Sequence, residues 1–272
     1  MKEFNMLGSV KELSRCCALL LVLLVGVTQA DGLDDVLERG ALRVGVSPFA
    51  PWMIENESGA LSGFEIDVGN KIAQDMGVKA EFLNYKWEDI IPALVRGEID
   101  IIAAGMAITP GRALKVSFSQ GYSDAGISLA TNTPMTRQIA NLKQLNSDGM
   151  VIAVVKDTVS VGVAQRLFDA AETRTFESVD AAQQAVLDDE AHAYVGATPL
   201  PKFLALQHPD KVDMPLQKPL LEFKTGMAVQ RGEQELLNFL NAWITARQAD
   251  SWLAATHRYW FDSLDWRGEQ QP

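Results

Sequence analysis

The feature that most limits how this chain can fold is an alternation of short apolar strands and amphipathic helices, run through twice. "ALRVGV" (Ala41 to Val46) reads as a strand, and in "GFEIDVGNKIAQDMGV" the residues Phe64, Val68, Ile72 and Met76 recur at four-residue spacing, which marks one helical face. "KAEFLNY" is a second strand and "WEDIIPALVRG" a helix closed by Gly97. "IDIIAAG" is a third strand, whose unbroken apolar run suits the middle of a parallel sheet covered on both faces. The pattern restarts at "MVIAVV" (Met150 to Val155), with helix "TVSVGVAQRLFDAA", strand "TRTFES", helix "DAAQQAVLDD" and strand "HAYVG". This predicts an α/β protein of two Rossmann-like lobes.

Two extended stretches, "AGISLATNTP" (Ala125 to Pro134) and "FKTGMAVQRG" (Phe223 to Gly232), are read as crossings that form a two-stranded hinge. The expected division is lobe 1 over residues 31–128 and 226–272 and lobe 2 over residues 129–225. Helices "EQELLNFLNAWITARQ" and "DSWLAATHRYW" follow the second crossing. Ligands of open α/β sheets bind outside the carboxyl ends of the strands, so two facing lobes enclose a ligand cleft.

Residues 1–30 read as a secretory signal peptide. Lys2, Lys11 and Arg15 precede a 12-residue apolar run, Cys16 to Val27, and Thr28 to Ala30 is a small-residue cleavage site. The run falls short of the roughly 20 residues of a spanning helix. An uncleaved anchor is the alternative, because Glu3 and Glu12 are unusual in the charged part of a leader. Both cysteines, Cys16 and Cys17, lie in this segment, so the exported chain has none, and disulfides and thiol catalysis are excluded for it. The chain has 24 Lys and Arg against 35 Asp and Glu, a net charge of −11, and −12 without its first 30 residues. That balance disfavours nucleic acid and anionic membrane surfaces.

Few residues offer chemistry. Arg112, on the loop "MAITPGR" after the third strand, has a planar fork of donors that suits a carboxylate; the alternative is a structural ion pair, for example with Asp124. Backbone N–H groups of the Gly105 to Ala107 loop are candidate further donors. In "VVKDTVSVG", Asp157 or Thr158 falls at a helix N-cap, with Thr158 and Ser160 near the positive end of the dipole. Phe49 and Trp87 lie at the carboxyl side of the first sheet, where aromatics either stack on a ligand or pack in a core; Trp52 reads as core. His192, His208 and His257 are not at metal-ligand spacing, so no metal site is expected, and no phosphate or dinucleotide fingerprint or serine elbow calls for a cofactor.

The segments "GALRVGVSPFAPW", "GFEIDV", "WEDIIPALVRGEIDIIAAGMAITPGRALKVSFSQGY" and "GMAVQRG", in that order, resemble the family 3 periplasmic solute-binding proteins of polar amino acid ABC transporters. The resemblance spans about Gly40 to Trp260 and is strongest from Gly97 to Tyr122. It implies a periplasmic binding protein type 2 fold that closes on a small carboxylate-bearing ligand and delivers it to a membrane permease. Such a protein is a periplasmic monomer with no catalytic role. It further implies that Arg112 binds the ligand α-carboxylate with help from the backbone of Ala107, that Phe49 and Trp87 pack on the ligand, and that Thr158 is a second carboxylate partner.

The sequence also departs from the family pattern. Family members place an aspartate for the ligand ammonium just after the strand that here reads "HAYVG", where this chain has Gly196, Ala197 and Thr198. Either another acid such as Asp189 or Glu190 reaches in, or the ligand lacks a free α-amino group. Asp157 replaces the usual glycine before Thr158, and Gly121 a usual proline. Two other functions remain open: a cyclohexadienyl dehydratase-like enzyme, with His192 or Glu190 as general acid, and a ligand-sensing accessory protein.

Overall fold

The computed structural model describes residues 32–262 and 264–268. The expected signal peptide, with both cysteines, lies outside the described residues. Helix α1 (Gly32–Arg39) leads into β1 (Ala41–Val46), and the short hairpin β2 (Ile54–Glu55) and β3 (Leu61–Ser62) precedes α2 (Phe64–Met76). Then come β4 (Lys79–Asn84), α3 (Trp87–Val95), β5 (Ile101–Ile102), the single turn α4 (Pro110–Ala113) and β6 (Ser117–Phe118). The long β7 (Ser123–Asn132) opens the second sheet, followed by α5 (Thr133–Thr136), β8 (Val151–Val155), α6 (Val159–Leu167), β9 (Glu172–Phe176), α7 (Val179–Leu187), β10 (Ala193–Ala197), α8 (Leu200–Gln207) and β11 (Val212–Asp213). β12 (Leu221–Thr225), β13 (Ala228–Val229), α9 (Gln234–Ala249), α10 (Trp252–Phe261) and α11 (Asp265–Gly268) complete the described chain.

Two sheets result. The first runs β4-β1-β5-β13-β6 and the second β11-β7-β10-β8-β9, with β12 also paired to β7. The expected third strand is shorter than its apolar run. Ala103 still donates to the Gly45 carbonyl, at 3.1 Å, before the chain turns away at Gly105, whose φ is 61°. The stretch "FKTGMAVQRG" is likewise not one strand. β12 belongs to the second sheet and β13 to the first, so the chain changes lobes within Gly226 and Met227.

Strand periodicity sorts the second lobe's core onto two faces. Ile127, Leu129, Ile152, Val154 and Val195 pack with Val163 and Ala164 of α6, whereas Ala130, Ala153 and Tyr194 pack with Ala182 and Ala185 of α7. Alternate residues therefore face opposite helices, as a sheet covered on both sides requires. In the first lobe, Leu42, Val44 and Val46 pack with Phe64, Val68 and Ile72 of α2 and with Leu240, Trp243 and Trp260 of the C-terminal helices. Two indole N–H groups tie those helices down: Trp243 donates to Asp75 at 2.9 Å and Trp260 to Asp67 at 2.7 Å.

Register places the cleft. β10 runs antiparallel to β7, with Ala193 opposite Thr131 and Ala197 opposite Ile127, and β8 is parallel to β10. The carboxyl ends of β8 and β10 therefore point toward the Ser123 end of β7, where Thr225 of β12 pairs with Ser123. There Thr225 also bridges to Ala107, on the loop leaving the carboxyl end of β5. The two sheets thus present their carboxyl ends to each other across the crossing strands.

Candidate functional site

On the first lobe, Thr109 caps α4, its Oγ1 accepting from the Arg112 N–H at 3.3 Å, and Pro110 takes the first helical position, where no N–H is needed. This turn sets Arg112 on the rim. Its Nη1 donates to the Ala107 carbonyl at 3.0 Å, and its Cζ lies 5.2 Å from the centroid of the Trp87 ring. Trp87 is 42% exposed, so it lies against the guanidinium at the surface and is not core. Asp124, the acid expected to pair with Arg112 if the role were structural, is bonded to Lys224 instead. No carboxylate among the described residues reaches the guanidinium. Burial alone acts on it, pulling its pKa below the usual arginine value. A half-buried cation without a counter-ion is a poor structural element and a ready anion anchor.

A groove of about 710 Å³ opens beside this pair, lined by Trp87, Ile91, Val95, Thr109, Arg112 and Lys115 among others, all from the first lobe. It runs from the cleft rim along α3. Phe49 is half-buried and touches both lobes. It packs against the first-lobe cluster and also against the second-lobe cluster that holds Tyr194 and Leu200. Trp52, 2% exposed, packs edge-on against Phe64 and Phe261, in the core as its sequence position suggests.

Gly105 does not have the role expected for it. Its N–H turns inward and donates to Glu65 at 2.6 Å, and a Cβ there would meet the Trp52 ring at 2.7 Å. Ala107 is buried, and its carbonyl is taken by Arg112; its own N–H has no partner among the described residues. Glu65 itself is absent from any sequence reading of the site. It is fully buried, and the Tyr122 hydroxyl lies 2.6 and 2.7 Å from its two carboxylate oxygens. Burial pushes its pKa up to about 7, against the opposing pull of the Tyr122 hydroxyl and the Gly105 N–H. The one available signal was an acid set between Phe64 and Ile66 on a helix whose neighbouring positions are core.

On the second lobe, Thr158 is the N-cap of α6, but its Oγ1 donates to the Val155 carbonyl at 2.7 Å and does not cap the helix. Ser160, in the first turn, is 3% exposed. Asp157 is not the cap. It precedes it with φ of 58°, a left-handed conformation that disfavours a side chain by about 1–2 kcal/mol, less for Asp and Asn. This explains why a glycine is expected at that position. Ala197 is half-buried at the carboxyl end of β10, and a Cβ added at Gly196 would meet the Tyr194 ring at 2.3 Å.

The acids that were expected to compensate do not reach the cleft. Asp189 accepts from Asn132 at 2.7 Å and pairs with Lys211 at 3.2 Å, and His192 Nδ1 accepts from the Val151 N–H at 3.1 Å. Glu190 lies between them, before β10 begins. All three sit at the amino end of that strand, a strand length of about 16 Å from Ala197.

Residues 42–263 match the bacterial extracellular solute-binding proteins, family 3. The chain belongs to this family. It is 25% identical over 233 residues to the L-cystine-binding protein TcyJ of Escherichia coli K12, covering 84% of this chain and 85% of that one. Among solved structures, an ancestral amino acid-binding protein that is a precursor of cyclohexadienyl dehydratase superposes with a TM-score of 0.75 at 33% identity, covering 85% of this chain and all of the other. A protein of Wolinella succinogenes, described as an ABC-transporter binding component and solved with lysine, gives 0.78 at 28% identity, with 85% and 99% coverage. Like these proteins, the chain has the two-sheet α/β architecture of the type 2 periplasmic binding fold. Among the described residues no helix is long and apolar enough to cross a membrane, and no group of His, Cys, Asp and Glu is placed to hold a metal ion.

Proposed function

We propose that this protein is a periplasmic receptor that captures a small carboxylate-bearing ligand, an amino acid or a derivative of one, and presents it to the permease of an ABC transporter. The observation that carries the reading is Arg112: half-buried, held by Ala107, stacked on an exposed Trp87 and without an acidic partner among the described residues. Relatives named for cystine binding and solved with lysine support an amino acid as the ligand class. Residues 1–30 are the leader removed on export.

In this reading Trp87 and Phe49 give the ligand an apolar surface, and the Ala107 N–H adds a donor. Thr158, Ser160 and Ala197 meet the ligand from the second lobe once the cleft closes. In this reading the hinge lies where the chain changes sheets, between Thr225 and Ala228 and between Phe118 and Ser123, rather than in the expected stretch Ala125 to Pro134, most of which belongs to β7 (Ser123–Asn132) of the second sheet. Binding alone is proposed, because the residues considered as general acids, Glu190 and His192, stand at the far end of β10.

The test is calorimetric titration of the mature protein, first unfolded, dialysed and refolded to strip carried-over ligand. Saturable binding of an L-amino acid that is lost in Arg112→Ala supports the reading. Turnover of a cyclic carboxylic acid such as prephenate would replace it with the enzyme.

A further inference from the structure

We infer that Asp157 supplies the carboxylate that receives the α-ammonium of the bound ligand. The inference rests on the capture function proposed above and extends it to the second lobe. Opposite charges stand at the carboxyl ends of strands in the two sheets. At the carboxyl end of β5 stands a guanidinium with no acidic partner, and at the carboxyl end of β8 stands an exposed carboxylate with no hydrogen bond or ion pair among the described residues. Lys156 feels the charge of Asp157 but makes its ion pair with Glu177, and Arg174 is held by Glu172.

A ligand that carries its α-carboxylate and α-ammonium on one carbon meets both rims at once, and only with the lobes together. Closure then gains a charge-assisted bond on each side. The other second-lobe acids near β10 are excluded by position, since Asp189 and Glu190 lie at its amino end. On the first lobe Glu88 borders the groove, but it shares it with Arg112 and Lys115 and sits on the same side of the cleft as the carboxylate anchor. Position 157 also holds a side chain where the backbone, at φ of 58°, is best suited to glycine.

The experiment titrates wild type, Asp157→Asn, Asp157→Gly and Glu88→Gln, each stripped and refolded, with L-amino acids and with the 2-hydroxy acids of the same side chains. Both substitutions at 157 suit the left-handed backbone, and a thermal melt checks that each variant folds. The expected result is that wild type prefers an L-amino acid to its 2-hydroxy acid by ~10-fold or more, and that both 157 variants lose this preference while binding the hydroxy acid within about threefold of wild type. If both 157 variants keep the preference, or Glu88→Gln removes it instead, Asp157 is not the receptor although capture by Arg112 stands. A wild type that binds only the hydroxy acids overturns the inference in the same way. A folded wild type that binds neither panel overturns it together with the capture function.

Discussion

The two rims of the cleft use different means to hold charge. On the first lobe a cation is built in with care: a capped turn sets Arg112, a carbonyl receives one of its donors, and an indole lies against its face. On the second lobe the corresponding loops are small or plain, with Gly196, Ala197 and a threonine that turns its hydroxyl back to its own strand. There a single acid stands exposed on a backbone that disfavours it. In the proposed reading, the difference teaches that an anchor and a selector need not be equally organised. Affinity from a desolvated, preoriented fork is large, whereas a carboxylate that meets its partner only on closure needs little organisation beforehand.

The comparison can be broken most directly at Arg112. Arg112→Ala is expected to cost about 2–5 kcal/mol of ligand binding by calorimetry while leaving the thermal midpoint unchanged or higher, because a cation without a counter-ion leaves the protein. Weakening of less than about tenfold would remove it as the anchor.

A second effect concerns stability rather than binding. The Glu65 carboxyl has its pKa raised to about 7 in the fold, against about 4.3 in an unfolded chain. The native state therefore holds this proton where the unfolded state has released it, so the contribution of Glu65 to stability falls as pH rises between those two values. The penalty above pH 7 is on the order of 4 kcal/mol. Melts at pH 5 and pH 8 should show a wider gap for wild type than for Glu65→Gln, and equal gaps would mean that Glu65 is ionised throughout.

Smaller changes sharpen the contrast. Trp87→Ala should weaken binding by about 1–3 kcal/mol, less than the loss of Arg112, and leave the fold intact because the ring is exposed. Asp157→Gly should raise stability by at most about 1 kcal/mol in a denaturant titration, since it relieves the positive φ but frees the unfolded chain. A midpoint lowered in both Asp157→Gly and Asp157→Asn would show that Asp157 makes a structural contact after all.

Much of the architecture was legible because its signals have one reading. The spacing of Phe64, Val68 and Ile72 fits a helix and not a strand, and the alternation of strands and helices fits a layered fold. "FKTGMAVQRG" misleads because hydropathy records that a segment is extended but not which sheet it joins, and Gly226 and Met227 divide it between two. Arg112 and Trp87 could be singled out by chemistry and position, but their stacking could not, since it depends on α3 and α4 meeting side by side. Glu65 was invisible for another reason. Surface acids in the first turn of a helix are common, and only the approach of Tyr122 and Gly105 from distant parts of the chain makes this one a buried group. The charge on Asp157 is plain in the sequence, while its left-handed backbone is a property of the turn between β8 and α6.

The exposure of Trp87 has an optical consequence. Of the six tryptophans, Trp52, Trp243, Trp260 and Trp266 are buried and Trp252 is half-buried, so Trp87, at 42% exposure, is the most open to water. A wet indole emits to the red of a buried one and is open to collisional quenchers, so excitation at the red edge selects Trp87 from the rest. A ligand settling against it on Arg112 would change that part of the emission while the buried rings supply a steady background. With the ligand at the proposed site, the protein thus carries its own dye where a label would otherwise be attached.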